Sequence, residues 1–197
     1  MNFNFNVSEL MFLMPELFLL AAISCILLFD LYVKEELKKF TYHLSQLALL
    51  ITGLLAFNLI GERATIFSGT FVLDTLGSTF KVFIAGFSII ALVYSRHYLS
   101  VHGLLRNEYF ILALMSILGM LVMVSGHSLL TLYLGLEIMS LSLYALIATA
   151  RDRAFAIEAA LKYFVLGAIA SGLLLYGMSM IYGITGNLDI AQIASFA

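Results

Sequence analysis

Charge is scarce in this sequence. Only 11% of its 197 residues are Asp, Glu, Lys or Arg, against 62% hydrophobic residues, and the mean hydropathy is +1.05. Soluble domains carry about a quarter charged residues. A surface this apolar would not stay dissolved, so the composition excludes a soluble globular protein and indicates an integral membrane protein. Alternating segments of about 10 residues, the mark of a membrane β-barrel, are missing too. Cys25 is the single cysteine and lies inside an apolar run, which excludes a disulfide framework and a cysteine metal motif. Pro15 is the single proline. There is no GxGxxG, P-loop, CxxC or HExxH, and no pair of histidines placed as haem ligands, so the chain shows no redox or nucleotide chemistry of its own.

What is present is a set of long apolar runs. Six stand out, over residues 10–32, 42–60, 72–95, 108–126, 128–150 and 155–182. Runs of roughly 20 residues suit helices crossing a hydrocarbon core of about 30 Å, and the expected fold is an all-α bundle of about six transmembrane helices in a single membrane domain over 1–197. The stretch before the first run, MNFNFNVSEL, carries no Lys or Arg and no small-residue cleavage site follows it, so this run reads as a retained helix and not a secretory signal. The turn Ser125-Gly126-His127 between the fourth and fifth runs is very short, and Thr185-Gly186-Asn187-Leu188-Asp189 reads as a turn after the sixth.

The positive charges set an orientation. Lys34, Lys38 and Lys39 follow the first run, Arg96 and Arg106 the third, and Arg151 and Arg153 the fifth, while the opposite side holds only Arg63. Loops rich in Lys and Arg face the cytoplasm, which places both ends of the chain outside, in the periplasm of a Gram-negative cell.

Three ionisable residues fall well inside the runs, where each costs at least about 2.5–3.5 kcal/mol on insertion scales. Glu137, in LGLEIMSLSLYAL, is the only charge between Ser128 and Ala150. It lies roughly 13–15 Å deep at 1.5 Å per residue, on a helical face with Tyr133, Ser140 and Tyr144. The charge state of a carboxyl in such surroundings depends on the cations near it, so Glu137 is either a proton-exchanging group or a packing glutamate bonded to a tyrosine or a carbonyl. Lys162, in ALKYFVLG, lies about 10–12 Å into the sixth helix and differs in depth from Glu137 by about 5–8 Å. It either answers Glu137 or pairs locally with Glu158 at i,i+4. Lys81 shares a face of the third helix with Asp74, Ser78 and Ser88 and either joins a proton path or makes a helix-end pair with a neighbour. Glu16 and Asp30 sit near the two ends of the first helix, where interfacial water can hold them, and read as structural. His127 in its turn, and His97 and His102 in a loop, read as solvated. Gly167, Ala170, Ser171 and Gly172 invite close helix packing on the sixth helix.

These residues carry a resemblance. HSLLTLYLGLEIMSLSLYAL followed by RDRAFAIEAALKYFVLGAIASGLLLYGMSMIYGITGNLDI, together with LMPELFLL and FVLDTLGSTFK, is similar to the antiporter-like subunit N family of proton-pumping NADH:quinone oxidoreductase, respiratory complex I. The resemblance implies a bundle of about 14 helices built on inverted repeats, a fifth-helix glutamate that falls here on Glu137, and a sixth-helix lysine that falls on Lys162. It implies that protons follow charged and hydrated groups in mid-membrane. Quinone reduction elsewhere in the complex would drive them, with FMN and iron–sulfur clusters in other subunits and no cofactor in this one. The implied partners are other membrane subunits and the lipid of a bacterial inner membrane, with no nucleic acid. The family's helix-seven lysine and second repeat have no counterpart here, so the chain is expected to be a fragment that would not pump alone. Two other readings stay open: a subunit of a multisubunit cation/proton antiporter or membrane-bound hydrogenase, and a scaffold whose charges only fix helix packing.

Overall fold

The computed structural model of the protein describes residues 7–32 and 40–196. All six apolar runs are helical: α2 (Met14–Tyr32), α3 (Phe40–Asn58), α4 (Thr75–Val101), α5 (Asn107–Ser125), α6 (Leu129–Ala148) and α7 (Ala154–Thr185). Each is long and apolar enough to cross a membrane. A 19-residue helix such as α3 or α5 spans about 28 Å. At 27 and 32 residues, α4 and α7 reach about 40 and 48 Å, longer than the hydrocarbon core.

Several boundaries differ from the expectation for physical reasons. A short helix α1 (Val7–Phe12) precedes α2. Pro15 has no N–H to bond back, so the helix that would have been continuous breaks at Leu13. Between α3 and α4 the chain forms an antiparallel hairpin, β1 (Ala64–Ile66) with β2 (Phe71–Leu73), pairing Ala64 with Leu73 and Ile66 with Phe71. Residues 72 and 73 are therefore strand, and α4 opens only after Asp74, whose carboxylate accepts the Gly77 N–H at 2.7 Å as an N-cap. Asp74 thus caps α4 and does not extend the Lys81 face. At its other end α4 runs past Arg96 and His97, with exposed His102 as its C-cap, so Arg96 and His97 are helical and not in a loop. A last short helix, α8 (Ile190–Phe196), follows the turn at 185–189. Lys34, Lys38 and Lys39 lie outside the described residues.

Apolar almost throughout, α5 sits at the centre, with α2, α3, α4 and α6 packed on it. Leu19, Ile23 and Ile26 of α2, Leu49 of α3, Leu92 of α4 and Phe110, Leu114 and Leu121 of α5 form one buried cluster. Several polar residues in this core have their needs met locally. Ser45 and Thr52 donate to the carbonyls of Thr41 and Ala48 one turn back, and Asp30 accepts from Thr41 (2.9 Å) and Asn107 (2.7 Å). Asp30 therefore ties three helices together and keeps its structural role.

α5 and α6 approach closely glycine to glycine. A Cβ on Gly119 of α5 would stand 2.6 Å from the Gly135 carbonyl and 2.6 Å from the Met139 nitrogen of α6, both backbone atoms that cannot swing aside. Gly119→Ala is expected to push α5 and α6 apart and cost about 1–3 kcal/mol, read as a lower unfolding temperature of the purified full-length protein.

At the end of the bundle where α4 and α6 begin, three loops are stitched together. The His127 N–H donates to Thr70 of the hairpin (3.0 Å), Phe71 bridges to Gly126, and the Leu129 and Ile190 N–H groups join the 126–128 turn to the 188–190 turn. His127 is held there through its backbone. At the opposite end Arg106 pairs with Asp152 (2.5 Å), Arg151 with Glu108 (2.7 Å), and Arg153 donates to the His102 carbonyl (3.1 Å).

Candidate functional site

Glu137 is placed by the start of its helix. Ser128 caps α6 by accepting the Leu130 N–H at 3.3 Å, and Glu137 follows nine residues on, about 13 Å along the axis. Its Oε1 accepts a hydrogen bond from the hydroxyl of Ser171 on α7. Tyr133, one turn before Glu137, brings its hydroxyl within 2.9 Å of the same Ser171 oxygen. A serine has one proton to donate and two lone pairs to accept with. With Ser171 donating to Glu137, the bond from Tyr133 runs into Ser171. The result is a directed row, Tyr133 to Ser171 to Glu137, across the α6–α7 contact.

The rest of the polar stripe serves the packing. Ser140 donates to the backbone carbonyl of Glu137 (3.3 Å), and Tyr144 sets its ring edge-on to Tyr163 and Phe164 at 4.9 and 5.7 Å. The Tyr144 hydroxyl lies against Gly167, where any Cβ would collide with it. Of the four small α7 residues, Gly167 and Ser171 meet α6. Gly172 has open space around it and Ala170 is exposed. Ser171 is the member of the site that its residue type concealed, since a serine among glycine and alanine signals close packing before it signals a partner for a carboxylate.

Lys162 is not brought to Glu137. Its Nζ meets Glu158 Oε1 at 2.6 Å, and both side chains are exposed, at 71% and 62%. Lys162 precedes Ser171, the residue Glu137 touches, by nine positions, about 13 Å along α7. The smaller depth difference expected from counting inward assumed a helix that only just spans the membrane, and α7 at 32 residues exceeds that.

Lys81 has a different partner. It is 1% exposed, and its Nζ lies 2.5 Å from Oε1 of Glu16 on α2, itself 7% exposed. The Phe71 ring of the hairpin covers the ammonium at 5.1 Å from the ring centroid. Ser78, one turn before Lys81, is fully buried with it, while Ser88 is only half-buried. Glu16 is therefore not an interfacial residue resting on water. Leu13, one turn before it, packs with Ile66 and Phe71 of the hairpin and closes that end. The hairpin that seals Glu16 is formed by three-residue strands that left no strand pattern in the sequence.

The two constellations, Glu137–Ser171–Tyr133 between α6 and α7 and Glu16–Lys81 between α2 and α4, define a multi-pass helical membrane protein that keeps titratable groups between its helices. Among the described residues no three His, Cys, Asp or Glu side chains stand close enough to hold a metal. The family model described as NADH:quinone oxidoreductase/Mrp antiporter, TM, matches residues 126–197, the stretch that carries Glu137, Lys162 and Ser171. NADH-quinone oxidoreductase subunit N of Ruthia magnifica subsp. Calyptogena magnifica is 66% identical over 194 residues, covering 98% of this chain and 40% of the relative. Respiratory complex I from Thermus thermophilus with bound aureothin contains a chain of the same fold, at TM-score 0.73 and 29% identity, over 90% of this chain and 38% of that one. The membrane-bound sulfane sulfur reductase, an archaeal respiratory membrane complex, shares the fold at TM-score 0.79 and 24% identity, over 94% of this chain and 40% of that one. Over nearly its whole length the chain is similar to NADH-quinone oxidoreductase subunit N. It spans about 40% of the length of the curated relatives it matches.

Proposed function

We propose that the full-length protein is a membrane-arm subunit of a proton-translocating NADH:quinone oxidoreductase, in which Glu137, Lys162 and Lys81 handle protons within the membrane. The single observation that carries this reading is the near-complete coverage of the chain by its similarity to subunit N. The geometry supplies a chemistry that agrees with it. Each hydroxyl in the row from Tyr133 through Ser171 can give one proton and receive another, and Glu137 is a terminal acceptor that can hold one. Lys162, which the family resemblance assigns to the path, is held by Glu158 in this chain and would have to leave it to respond to Glu137.

In this reading the subunit takes part in the enzyme without a redox centre of its own. FMN, the iron–sulfur clusters and the quinone site belong to other subunits, and quinone reduction there supplies the energy. The partners are other membrane subunits of the complex and the surrounding lipid, with no nucleic acid. The protein lies in the bacterial inner membrane with Arg106, Arg151 and Arg153 toward the cytoplasm and both ends of this chain toward the periplasm. Similarity to subunit N favours this assignment over a free-standing cation/proton antiporter or a hydrogenase arm.

The test is co-purification. Full-length protein tagged in its own cells and extracted in mild detergent is expected to bring with it a large complex that reduces a quinone with NADH. Recovery in a complex that exchanges cations for protons but does not oxidise NADH would contradict the assignment.

A further inference from the structure

The pair at the α2–α4 contact has a property that a simple structural bridge lacks. Glu16 Oε1 and the Lys81 ammonium touch at ion-pair distance, while the second Glu16 carboxylate oxygen is buried with no side-chain partner among the described residues. The hydroxyl of Ser78, one turn from Lys81 on the same face, is buried and unpartnered as well, and so is that of Ser125. Ser125 stands in the chain between Val124, which lies against Gly77, and Gly126, which is bridged to Phe71. Buried polar groups are almost always hydrogen-bonded, to protein or to ordered water. Buried polar atoms without a partner on adjoining stretches of α2, α4 and α5 are what an internal water site requires, since such a water needs two to four polar neighbours.

We propose that Glu16, Lys81 and Ser78 line an enclosed water site beneath Phe71, and that the Glu16–Lys81 pair passes protons through it. This deepens the proton-translocating reading and rests on it. The step balances within the pair. A proton moves from the Lys81 ammonium across 2.5 Å to the Glu16 carboxylate, leaving a neutral amine and a carboxylic acid. The amine then takes a proton from water on one side and the acid gives its proton to water on the other, which restores the ion pair. Net charge is zero in both states of the pair, and only the exchange with water passes through a charged state, in which the ammonium stands beside the acid or the amine beside the carboxylate. The Phe71 ring and the hairpin that carries it cover this site. Asp74 is committed to its N-cap and takes no part.

The test uses the full-length subunit in its assembled complex, comparing NADH-driven acidification of inverted vesicles for wild type, the double variant Glu16→Gln with Lys81→Met, and Glu137→Gln. The double variant removes both charges and leaves none unpaired, so a purely structural bridge predicts wild-type assembly and wild-type acidification. The proposal predicts normal assembly with acidification lowered at least about fivefold per assembled complex. Normal acidification by the double variant, with acidification lost in Glu137→Gln, would overturn this proposal and leave the proton-translocating reading standing. Normal acidification in both would overturn the two together. Independently of how the variants fold, a map of the wild-type complex that resolves water is expected to show ordered water bridging Glu16, Lys81 and Ser78. A dry pair there would also overturn the proposal.

Discussion

Lys81→Met alone is expected to remove most of the assembled protein from the membrane. The substitution leaves Glu16 buried between α2, α4 and the hairpin without the cation it touches. Breaking a buried ion pair from one side costs about 3–5 kcal/mol, because the charge left behind keeps its desolvation penalty and loses its partner. Against a domain stability of about 5–15 kcal/mol such a loss is a large share of the whole. Glu16→Gln is expected to do the same from the other side. Quantifying the assembled complex on native gels of membranes carrying each variant checks this, and both single variants should fall well below the double one. Single variants that assemble as well as wild type would show that the pair is solvated and not enclosed.

Glu137→Gln is expected to behave in the opposite way, with little effect on assembly and a large one on coupling. The amide oxygen of glutamine still accepts the Ser171 hydroxyl, so the α6–α7 contact that runs through Ser171 and Tyr133 survives. What is lost is the ability to take up and release a proton at the end of the row. If proton transfer through Glu137 limits coupling, acidification per assembled complex should fall at least about tenfold, equivalent to about 1.4 kcal/mol or more on the barrier. Ser171→Ala removes one link and leaves the carboxyl in place, so its effect should be smaller than that of Glu137→Gln.

The features legible in the sequence share a physical reason. Six helices were readable because membrane spans announce themselves by length and apolarity. Glu137 was readable because a lone carboxylate within such a span needs a cause. Partners were harder, because partnership depends on helix register. Nothing local to Ser171 says which α6 residue it will face, and nothing local to Glu16 says that a hairpin some fifty residues later folds over it. The separation of Lys162 from Glu137 exceeds what counting inward from the helix ends gives, because such a count presumes a helix matched to the bilayer and α7 is longer. The hairpin itself escaped because its strands are three residues each and are held by their pairing and by the 126–128 turn, not by any alternating pattern of their own.

The proposed role of Glu137 is to take up and release protons. It is tested most directly by NADH-driven acidification of inverted membrane vesicles carrying full-length wild-type or Glu137→Gln subunit at matched assembly. Acidification lost in the variant while the complex stays assembled is the result this account predicts. Acidification equal to wild type would contradict it and return Glu137 to the role of a packing residue bonded to Ser171.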